Sequence, residues 1–403
     1  MNNPKLRFKA NDGSEFPEWE ETEIGKIGTF TKGAALSKAD ISDTGMPFVL
    51  YGELYTTYRE IAYTIKRKTE AVVNEKYYSK IGDVIIPTSG ESPEEISTAT
   101  CIMVPNVILA GDLNIFRSSI IDGRIMSYIL NYQAKNKIAT IAQGKSIVHI
   151  QAKELSKIKI KYPVDVNEQK KIADFLSTID EIIQSTESEL NAWQERKKGV
   201  MQKIFNREVR FKADDRSEFP EWEEAEIGEI CVINPKTEEV EDEFLYMDLG
   251  SVDHGDWEEP EVMIKSKAPS RAQRAARVGD VFFQSVRPYN QGHFHYSEKK
   301  DKQVVASTGY IQIRMKNCDS GFIYQILYDA HFNQEVSIRC TGSNYPAINA
   351  DDFSEIVIAY PCVEEQRKIA ECLSSLDDVI NQIDAELSAW KEFKKGLLQQ
   401  MFV

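Results

Sequence analysis

The chain has 403 residues, of which 42% are hydrophobic and 28% are charged, and its formal net charge at pH 7 is −15. This length suits two or three domains with complete cores, and the composition is ordinary for a globular protein in water. Because no apolar run approaches about 18 residues and the start of the chain lacks an apolar stretch, neither a membrane span nor a secretion signal is expected. Six scattered cysteines without a CxxC pair favour reduced thiols in the cytoplasm over a disulfide framework or a zinc site.

An acidic segment with a tryptophan opens the chain and is repeated near its middle. FKANDGSEFPEWEETEIGKI covers residues 8–27, and FKADDRSEFPEWEEAEIGEI covers residues 211–230. We expect Trp19 and Trp222 to pack as anchors where each half of the chain begins. The six acids within residues 12–23 are expected to face solvent or a basic partner.

Two long segments with helical periodicity form a second repeat. EQKKIADFLSTIDEIIQSTESELNAWQERKKGVMQKIF covers residues 168–205, EQRKIAECLSSLDDVINQIDAELSAWKEFKKGLLQQMF covers residues 365–402, and 19 of the 38 positions are identical. Apolar residues recur at steps of three and four over five heptads, which predicts two helices that pack on each other as a coiled coil, although each could instead lie on its own globular domain. Lys197 and Lys394 interrupt both seams at the same place and indicate a register mark or a polar contact. The predicted interface comprises Ile172, Leu176, Ile179, Ile183, Leu190, Trp193, Ile369, Leu373, Leu376, Ile380, Leu387 and Trp390.

Shorter matches show that both halves share a set of similar segments, which we call the frame. The regions between these segments differ. GDVII begins at Gly82 and GDVFF at Gly279, and QGKSIVHIQAKELSKIKIKYP pairs loosely with TGSNYPAINADDFSEIVIAYP. Both of these later segments predict strands that run through a proline into a long helix. We therefore predict an α/β (α+β) chain with a pseudo-two-fold internal repeat. Its predicted parts are a globular domain over 1–163, a spacer helix over 164–206, a second globular domain over 207–361 and a second spacer helix over 362–403.

No catalytic motif is recognisable in the sequence. It has no GxxxxGK[ST] phosphate loop, GxGxxG, HExxH or GxSxG, and INPKT around Asn234 is predicted to be a turn rather than part of a methyltransferase site. Asp83 and Asp280 are predicted to be turn residues that open a strand. His293 and His295 in GHFHYS could ligate a metal, but two histidines on one strand without a third ligand are more often structural. The sequence therefore favours a protein that is not itself an enzyme.

Basic residues concentrate in one zone of each half. Residues 124–161 carry eight Lys and Arg against one acid, and residues 265–287 carry six against one. Such zones suit DNA, because phosphate neutralisation requires only a local positive face. In SRAQRAARVGD, Arg271, Arg274 and Arg277 are predicted to share one face of a helix, where their guanidinium forks suit phosphate or guanine. In KELSKIKIK, the alternation predicts a strand with outward lysines and leaves open an ordinary solvated surface.

Polar residues in four predicted loops are candidates for contacts with base edges. Asn, Gln, Arg and Lys are the side chains that pair with purine edges, and loops on a rigid scaffold carry variable recognition. In the second half, the candidates are Arg287, Tyr289, Asn290, Gln291, Ser343, Asn344 and Tyr345. In the first half, the equivalent candidates are Ser89, Glu91, Lys145, Ser146 and His149. Each half is thus predicted to contact DNA through different side chains.

Taken together, these repeats resemble the specificity (S) subunit of type I restriction-modification enzymes. The features that carry the resemblance are the duplicated EQ(K/R)KIA helix with its later W and KKG, the GDV pair, the late segments that end in YP, and the PEWEE entries. The likeness covers nearly the whole chain through the order and repetition of these elements. It implies two target recognition domains, spaced by the two helices as an antiparallel coiled coil, in a non-catalytic reader of double-stranded DNA.

The resemblance also implies partners and the division of chemistry among them. Methyltransferase (M) subunits, of which two are expected, would carry S-adenosylmethionine and methylate adenine, and motor-nuclease (R) subunits would use ATP and Mg to cleave DNA. No cofactor or metal is expected on this chain. The repeated helices would provide the spacer and much of the contact with the M subunits.

The predicted helices also suggest the form of the DNA target. A helix of 38 residues at ~1.5 Å per residue spans roughly 57 Å, and readers inward of its ends would place two half-site centres on the order of 10 bp apart. Because the two globular domains differ, the target is expected to be bipartite and asymmetric. Two alternatives stay open: a stand-alone sequence-specific DNA-binding protein, and a protein-interaction scaffold that binds no nucleic acid.

Overall fold

The computed structural model describes residues 4–142, 148–252, 255–257 and 260–402. The chain divides into two compact units, unit 1 with Met1–Glu187 and Ala385–Val403, and unit 2 with Ser188–Asp384. Each unit therefore combines one globular region with the first part of the long helix that follows it and the last part of the other long helix. No helix in the described part of the chain is long and apolar enough to cross a membrane.

Unit 1 is built on a five-stranded sheet and a three-stranded sheet. Its strands are β1 (Glu20–Glu23), β2 (Thr29–Lys32), β3 (Met46–Val49), β4 (Ile61–Ala62), β5 (Lys68–Thr69), β6 (Asp83–Pro87), β7 (Ser89–Gly90), β8 (Thr100–Ile102), β9 (Ile108–Leu109), β10 (Leu113–Arg117), β11 (Val148–His149) and β12 (Lys159–Tyr162). The sheet orders are β2-β10-β6-β8-β4 and β5-β3-β9, and β1-β12 and β7-β11 form separate pairs. Its helices are α1 (Ile24–Ile27), α2 (Glu53–Thr56), α3 (Pro93–Ile96), α4 (Gly123–Tyr128), α5 (Lys135–Ile141), α6 (Ala152–Leu155) and the first part of α7 (Val166–Phe205).

Unit 2 repeats part of this frame with two four-stranded sheets. Its strands are β13 (Glu223–Glu226), β14 (Cys231–Ile233), β15 (Glu243–Met247), β16 (Glu261–Ile264), β17 (Ala272–Ala275), β18 (Val281–Gln284), β19 (Phe294–His295), β20 (Val304–Ser307), β21 (Tyr310–Met315) and β22 (Val357–Tyr360). The sheet orders are β14-β21-β18-β19 and β16-β15-β20-β17, with β13-β22 as a pair. Its helices are α8 (Ile227–Ile230), α9 (Ser320–Ile326), α10 (Ala330–Arg339), α11 (Ala350–Ser354) and the first part of α12 (Val363–Phe402). The β2-β10-β6 and β14-β21-β18 orders show which part of the frame repeats.

The tryptophans of the repeated acidic segment are buried in both units. Trp19 is buried and lies 6.0 Å, between ring centroids, from Phe402 of α12, and Trp222 is buried beside Phe322 at 6.2 Å. The prediction that both tryptophans are anchors is confirmed. Most of the acids around them are exposed, as predicted.

A half-buried arginine that binds a buried glutamate explains why the entry segment and the EQ motif occur together. The guanidinium of Arg7 binds both carboxylate oxygens of Glu168 at 3.0 Å and donates to the carbonyl oxygen of Pro17 at 2.6 Å. In unit 2, Arg210 binds Glu365 at 3.2 and 2.8 Å and donates to the carbonyl oxygen of Pro220 at 2.5 Å. The first turn of each long helix is thus joined to its entry segment by charge-assisted hydrogen bonds.

The lysines that interrupt the apolar seams mark the antiparallel packing of α7 and α12. In unit 1, Lys394 near the end of α12 forms ion pairs with Asp180 near the start of α7 at 2.7 Å and with Glu60 at 2.9 Å. In unit 2, Lys197 near the end of α7 pairs with Asp377 near the start of α12 at 2.5 Å. The end of one helix meets the beginning of the other in both units, so the predicted antiparallel coiled coil and the predicted polar contact are confirmed.

The predicted seam residues are buried to different extents along these helices. Seven of them are buried: Ile172, Leu176, Ile179, Ile183, Ile369, Leu373 and Leu387. Five are half-buried: Leu190, Trp193, Leu376, Ile380 and Trp390. In unit 2, the first turns of α12 also share a core with the globular region, where Ile369 and Leu373 pack in one cluster with Phe322 and Ile204. The long helices are therefore buried partly by each other and partly by the globular region.

Each GDV motif forms a turn, and an arginine from a neighbouring strand binds the aspartate of that turn. Gly82 and Gly279 have φ angles of +88° and +93°, a region that glycine adopts without strain. Asp83 and Asp280 follow, and each accepts a backbone hydrogen bond within the turn at 2.8 Å, which confirms the predicted turn role. Arg117 and Arg314 then bind these carboxylates at 2.5 to 2.7 Å. The two arginines occupy equivalent strands, β10 and β21.

The helix predicted for SRAQRAARVGD is wrong. Residues Ala272–Ala275 form strand β17, which pairs antiparallel with the buried strand β20, with a register shift between Ala272 and Arg274. The alanines favour a helix locally, but backbone pairing with a strand in the core outweighs that propensity. Arg271, Arg274 and Arg277 therefore do not share a helical face.

Candidate nucleic-acid interface

In unit 2, the structure brings together the two loops predicted to contact bases. The loop after β18 and the loop after α10 join through a bridge between Val286 and Ala347. The amide of Arg287 donates to the carbonyl oxygen of Pro346 at 2.7 Å, and the amide of Ile348 donates to that of Ser285 at 3.1 Å. Residues 285–291 and 341–347 thus form one surface, which we call the unit 2 loop pair.

Two buried polar residues fix the backbone beneath the unit 2 loop pair. The side chain of Gln284 accepts from the amide of Gly292 at 2.9 Å and donates to the carbonyl oxygen of Val286 at 2.9 Å. His293 is fully buried, and its Nδ1 accepts from the amide of Gln284 at 3.1 Å. The His293 ring also stacks on Phe283, with 4.5 Å between ring centroids. These contacts hold the loop backbone in place and make it a platform for the side chains above it.

On this platform, the predicted contact residues differ in exposure. Tyr289 and Tyr345 are each 64% exposed, and Asn290 is also exposed. Arg287 is half-buried, and its guanidinium carbon lies 4.1 Å from the centre of the Tyr345 ring. Gln291 is half-buried, and Ser343 and Asn344 are exposed. The geometry therefore presents aromatic and hydrogen-bonding groups together on one surface.

In unit 1, strands β7 and β11 bring the equivalent loops together. Ser89 pairs in register with His149, and its hydroxyl lies 3.0 Å from His149 Nδ1 and 3.2 Å from a carboxylate oxygen of Asp112. The serine lies between the histidine and the aspartate, whereas a hydrolytic triad needs the histidine in the middle. Lys145 and Ser146 lie outside the described residues, and Glu91 is exposed.

The three arginines of SRAQRAARVGD have separate environments. Arg271 is exposed before β17, and Arg277 forms an ion pair with Glu238. Arg274 is half-buried, its Nε has no hydrogen-bond partner in the described part of the chain, and burial lowers the pKa of its guanidinium. Only exposed Arg271 is placed as a flexible phosphate contact would be.

The two histidines of GHFHYS have structural contacts. His295 Nε2 lies 2.9 Å from the hydroxyl of Ser320, and burial lowers the pKa of both rings, that of His293 to about 3. Across the described ranges, no group of three or more His, Cys, Asp or Glu side chains is arranged to hold a metal ion. Asn234 of INPKT adopts a left-handed φ of 48° and exchanges hydrogen bonds with the backbone of Gln312, so the predicted turn is confirmed.

Sequence reasoning missed the residues that support the candidate site. Gln284 lies at the end of the apolar GDVFF strand, where a buried glutamine is unexpected and could have been recognised as a hydrogen-bonding residue. The equivalent position in unit 1 is Pro87, so the repeat offers no matching signal. Arg117 and Arg314 were likewise missed because their aspartate partners lie 34 positions away in sequence.

Unit 2 is expected to lose stability in mild acid because of His293. The ring stays neutral in the folded chain down to pH of about 3, whereas in the unfolded chain it takes up a proton near pH 6.5. Stability from this residue is therefore complete above pH 6.5 and falls toward pH 3 by up to about 1.4 kcal/mol per pH unit. Urea denaturation between pH 4 and 8 should show a shallower pH dependence for His293→Asn, whose side-chain oxygen can replace the Nδ1 acceptor. An unchanged slope would contradict this assignment.

Comparisons with known proteins agree with this arrangement. Residues 17–192 and 257–389 match the family model described as the type I restriction modification DNA specificity domain. The chain belongs to this family. Both matched segments therefore belong to a DNA specificity domain of type I restriction modification.

Relatives match this chain along nearly its whole length. It is 25% identical to the type I restriction enzyme MjaVIII specificity subunit of Methanocaldococcus jannaschii, over 97% of this chain and 94% of that protein. The crystal structure of the S subunit of a type I restriction-modification system from M. genitalium covers 100% of this chain and 99% of its own, at 17% identity and a TM-score of 0.65. A chain from a study of complex assembly in the type I R-M system covers 96% and 98%, at 16% identity and a TM-score of 0.50. The structural neighbours share the fold.

Proposed function

We propose that this chain reads a bipartite, asymmetric DNA target and supplies one half-site reader from each unit. The observation that carries the proposal is a shared frame with unlike side chains at its recognition loops. After the GDV strand, unit 1 presents Ser89 against His149, and unit 2 presents Arg287 against Tyr345. Because different side chains read different base edges, two unlike half-sites are expected.

The long helices are proposed to set the spacing between the half-sites. Each is 40 residues long, or about 60 Å at ~1.5 Å per residue. Readers inward of the helix ends would have half-site centres on the order of 10 bp apart. Two continuous helices of this length would favour one fixed spacing over a range of spacings.

Catalysis is proposed to belong to partner subunits. The sequence carries no recognisable phosphate loop or methyltransferase motif, which supports a chain that directs chemistry without performing it. We propose two methyltransferase subunits that hold S-adenosylmethionine and methylate adenine, and motor-nuclease subunits that use ATP and Mg. The assembly would act on double-stranded DNA in the cytoplasm.

Co-expression with a methyltransferase subunit from the same genome tests the proposed assembly. A stable complex should co-purify, and it should retard a duplex that contains the target. The logarithm of its binding constant should fall linearly with the logarithm of salt concentration, because phosphate contacts release counterions. A chain that binds the target without partners would favour a stand-alone DNA-binding protein. Binding of protein but not of DNA would favour a scaffold.

A further inference from the structure

We propose that Arg287, held against Tyr345, is a specificity-determining residue that reads one guanine in the half-site of unit 2. This inference rests on the proposed function and narrows it to one side chain and one base. The backbone of the loop that carries Arg287 is unusual. Arg287 and Gln291 both have φ angles of +53°, in the left-handed region that side chains other than glycine rarely adopt. Such residues persist only where their surroundings fix them, and they cluster at functional sites.

The surroundings of Arg287 do fix it. Its amide is bonded to Pro346, the residue after it is the buried Pro288, and the buried side chain of Gln284 holds the loop on both sides through Val286 and Gly292. None of these contacts involves the guanidinium. These contacts therefore hold Arg287 in a strained backbone conformation that aims its side chain, and they use none of its guanidinium donors.

Among the half-buried arginines, Arg287 and Arg274 lack an acidic partner within the described residues, and of these two only Arg287 lies in a loop. Arg117, Arg210 and Arg314 each bind a carboxylate. In contrast, no carboxylate within the described ranges pairs with Arg287, and its Nε is buried without a hydrogen-bond partner. The guanidinium carbon instead lies 4.1 Å from the centre of the Tyr345 ring. Stacking on an aromatic ring orients the planar fork without consuming its donors.

This geometry suits a base edge better than a phosphate. Phosphate contacts are tolerant of position, whereas recognition of guanine needs two donors directed together at O6 and N7. With Nε buried, the two terminal nitrogens are the donors that remain, and they form the end of a fork. In unit 1, the equivalent position is Gly90, paired with Val148, so only one half of the target should depend on this contact.

The test uses the complete complex with its methyltransferase partners and duplexes based on its methylation motif. Each base pair of both half-sites is replaced in turn, and each guanine is also replaced by 7-deazaguanine, which lacks N7. Variants are Arg287→Ala, Arg287→Lys, Tyr345→Leu and Tyr345→Phe. Arg339→Ala is the matched control, because Arg339 lies in the same unit and pairs within its own helix with Glu335.

The wild-type complex should bind roughly 5- to 150-fold more weakly when one particular guanine is replaced. Arg287→Ala and Arg287→Lys should lose this preference, and the loss caused by 7-deazaguanine should disappear in both. Tyr345→Leu should reduce the preference, Tyr345→Phe should keep it, and Arg339→Ala should leave it unchanged. Preferences in the other half-site should persist in every variant, which also shows that the complex is folded.

Two failures are distinguishable. If the wild-type complex shows no sequence preference, the proposed function fails and this inference fails with it. If the wild-type complex is specific but Arg287→Ala retains every guanine preference, only this inference is overturned. A uniform loss of affinity without a change in base preference would make Arg287 a phosphate contact and would also overturn it.

Discussion

Replacement of Lys394 by alanine is expected to lower the free energy of unfolding of unit 1 by about 3–5 kcal/mol at pH 7. Lys394 is only 7% exposed and lies between Glu60 and Asp180, above the ring of Tyr128. Without the ammonium group, two buried carboxylates would face each other. Burial would raise the pKa of Glu60, but the Lys394 charge outweighs it and holds that pKa below its usual value, whereas burial keeps the pKa of Asp180 raised.

The internal repeat supplies a matched control for this prediction. Lys197 occupies the same place in the other helix but pairs, within the described residues, with a single acid, Asp377, whose side chain is 31% exposed. Lys197→Ala should therefore cost roughly 1 kcal/mol, closer to an exposed pair. Guanidinium denaturation, followed by circular dichroism, measures both variants. Equal losses would contradict the importance of the second buried carboxylate.

Lower pH, and removal of the two carboxylate charges, should each reduce the loss of stability that follows from removal of the Lys394 charge. Carboxylates that have lost their cation take up protons at higher pH, so the deficit relative to wild type should shrink as pH is lowered from 7 to 5. Addition of Glu60→Gln and Asp180→Asn to Lys394→Met should restore most of the stability, because a neutral cluster has no unpaired charge. A deficit that stays constant with pH would indicate lost packing instead.

Arg7→Ala is expected to destabilise unit 1 by a similar amount, about 3–5 kcal/mol. Its partner Glu168 is fully buried and would keep only the hydrogen bond from Trp19 Nε1 at 3.2 Å. The carbonyl oxygens of Phe16 and Pro17 would also lose their donor. Thermal and chemical denaturation measure the loss, and Glu168→Gln in the same chain should recover part of it by removing the buried charge.

A nearby exposed ion pair provides the control for Arg7. Lys9 and Glu15 lie 3.1 Å apart, with side chains 64% and 65% exposed. Lys9→Ala should change the free energy of unfolding by less than about 1 kcal/mol. If Arg7→Ala were as mild as Lys9→Ala, the clamp between the entry segment and α7 would not be a stabilising contact.

Periodic and repeated features were predictable from sequence because each depends only on the spacing of residues along the chain. The helices followed from apolar steps of three and four, and the lysines at 197 and 394 stood out against that pattern. What the lysines bind was only half predictable. Asp180 and Asp377 lie in the same repeat, but Glu60 comes from the region between the repeated segments, where no second copy exists for comparison.

The prediction that failed and the contacts that were not predicted depend on pairing between residues far apart in sequence. The helix over residues 271–277 was wrong because local composition carries no sign of strand β20 beside it. The clamp between Arg7 and Glu168 spans 161 positions, although both partners lie within repeated motifs. The recognition loops were found by residue type, but their approach to each other comes from the bridge between Val286 and Ala347, which spacing alone does not specify.

Methylome sequencing of a host that carries the complete system tests the central claim most directly. Two unlike half-sites separated by a fixed number of unspecified bases, with methylated adenine in the motif, are the predicted result. Exchange of residues 207–361 for those of a relative should change one half-site and leave the other unchanged. A continuous or palindromic motif, or a change in both halves after the exchange, would contradict the account of one reader per unit.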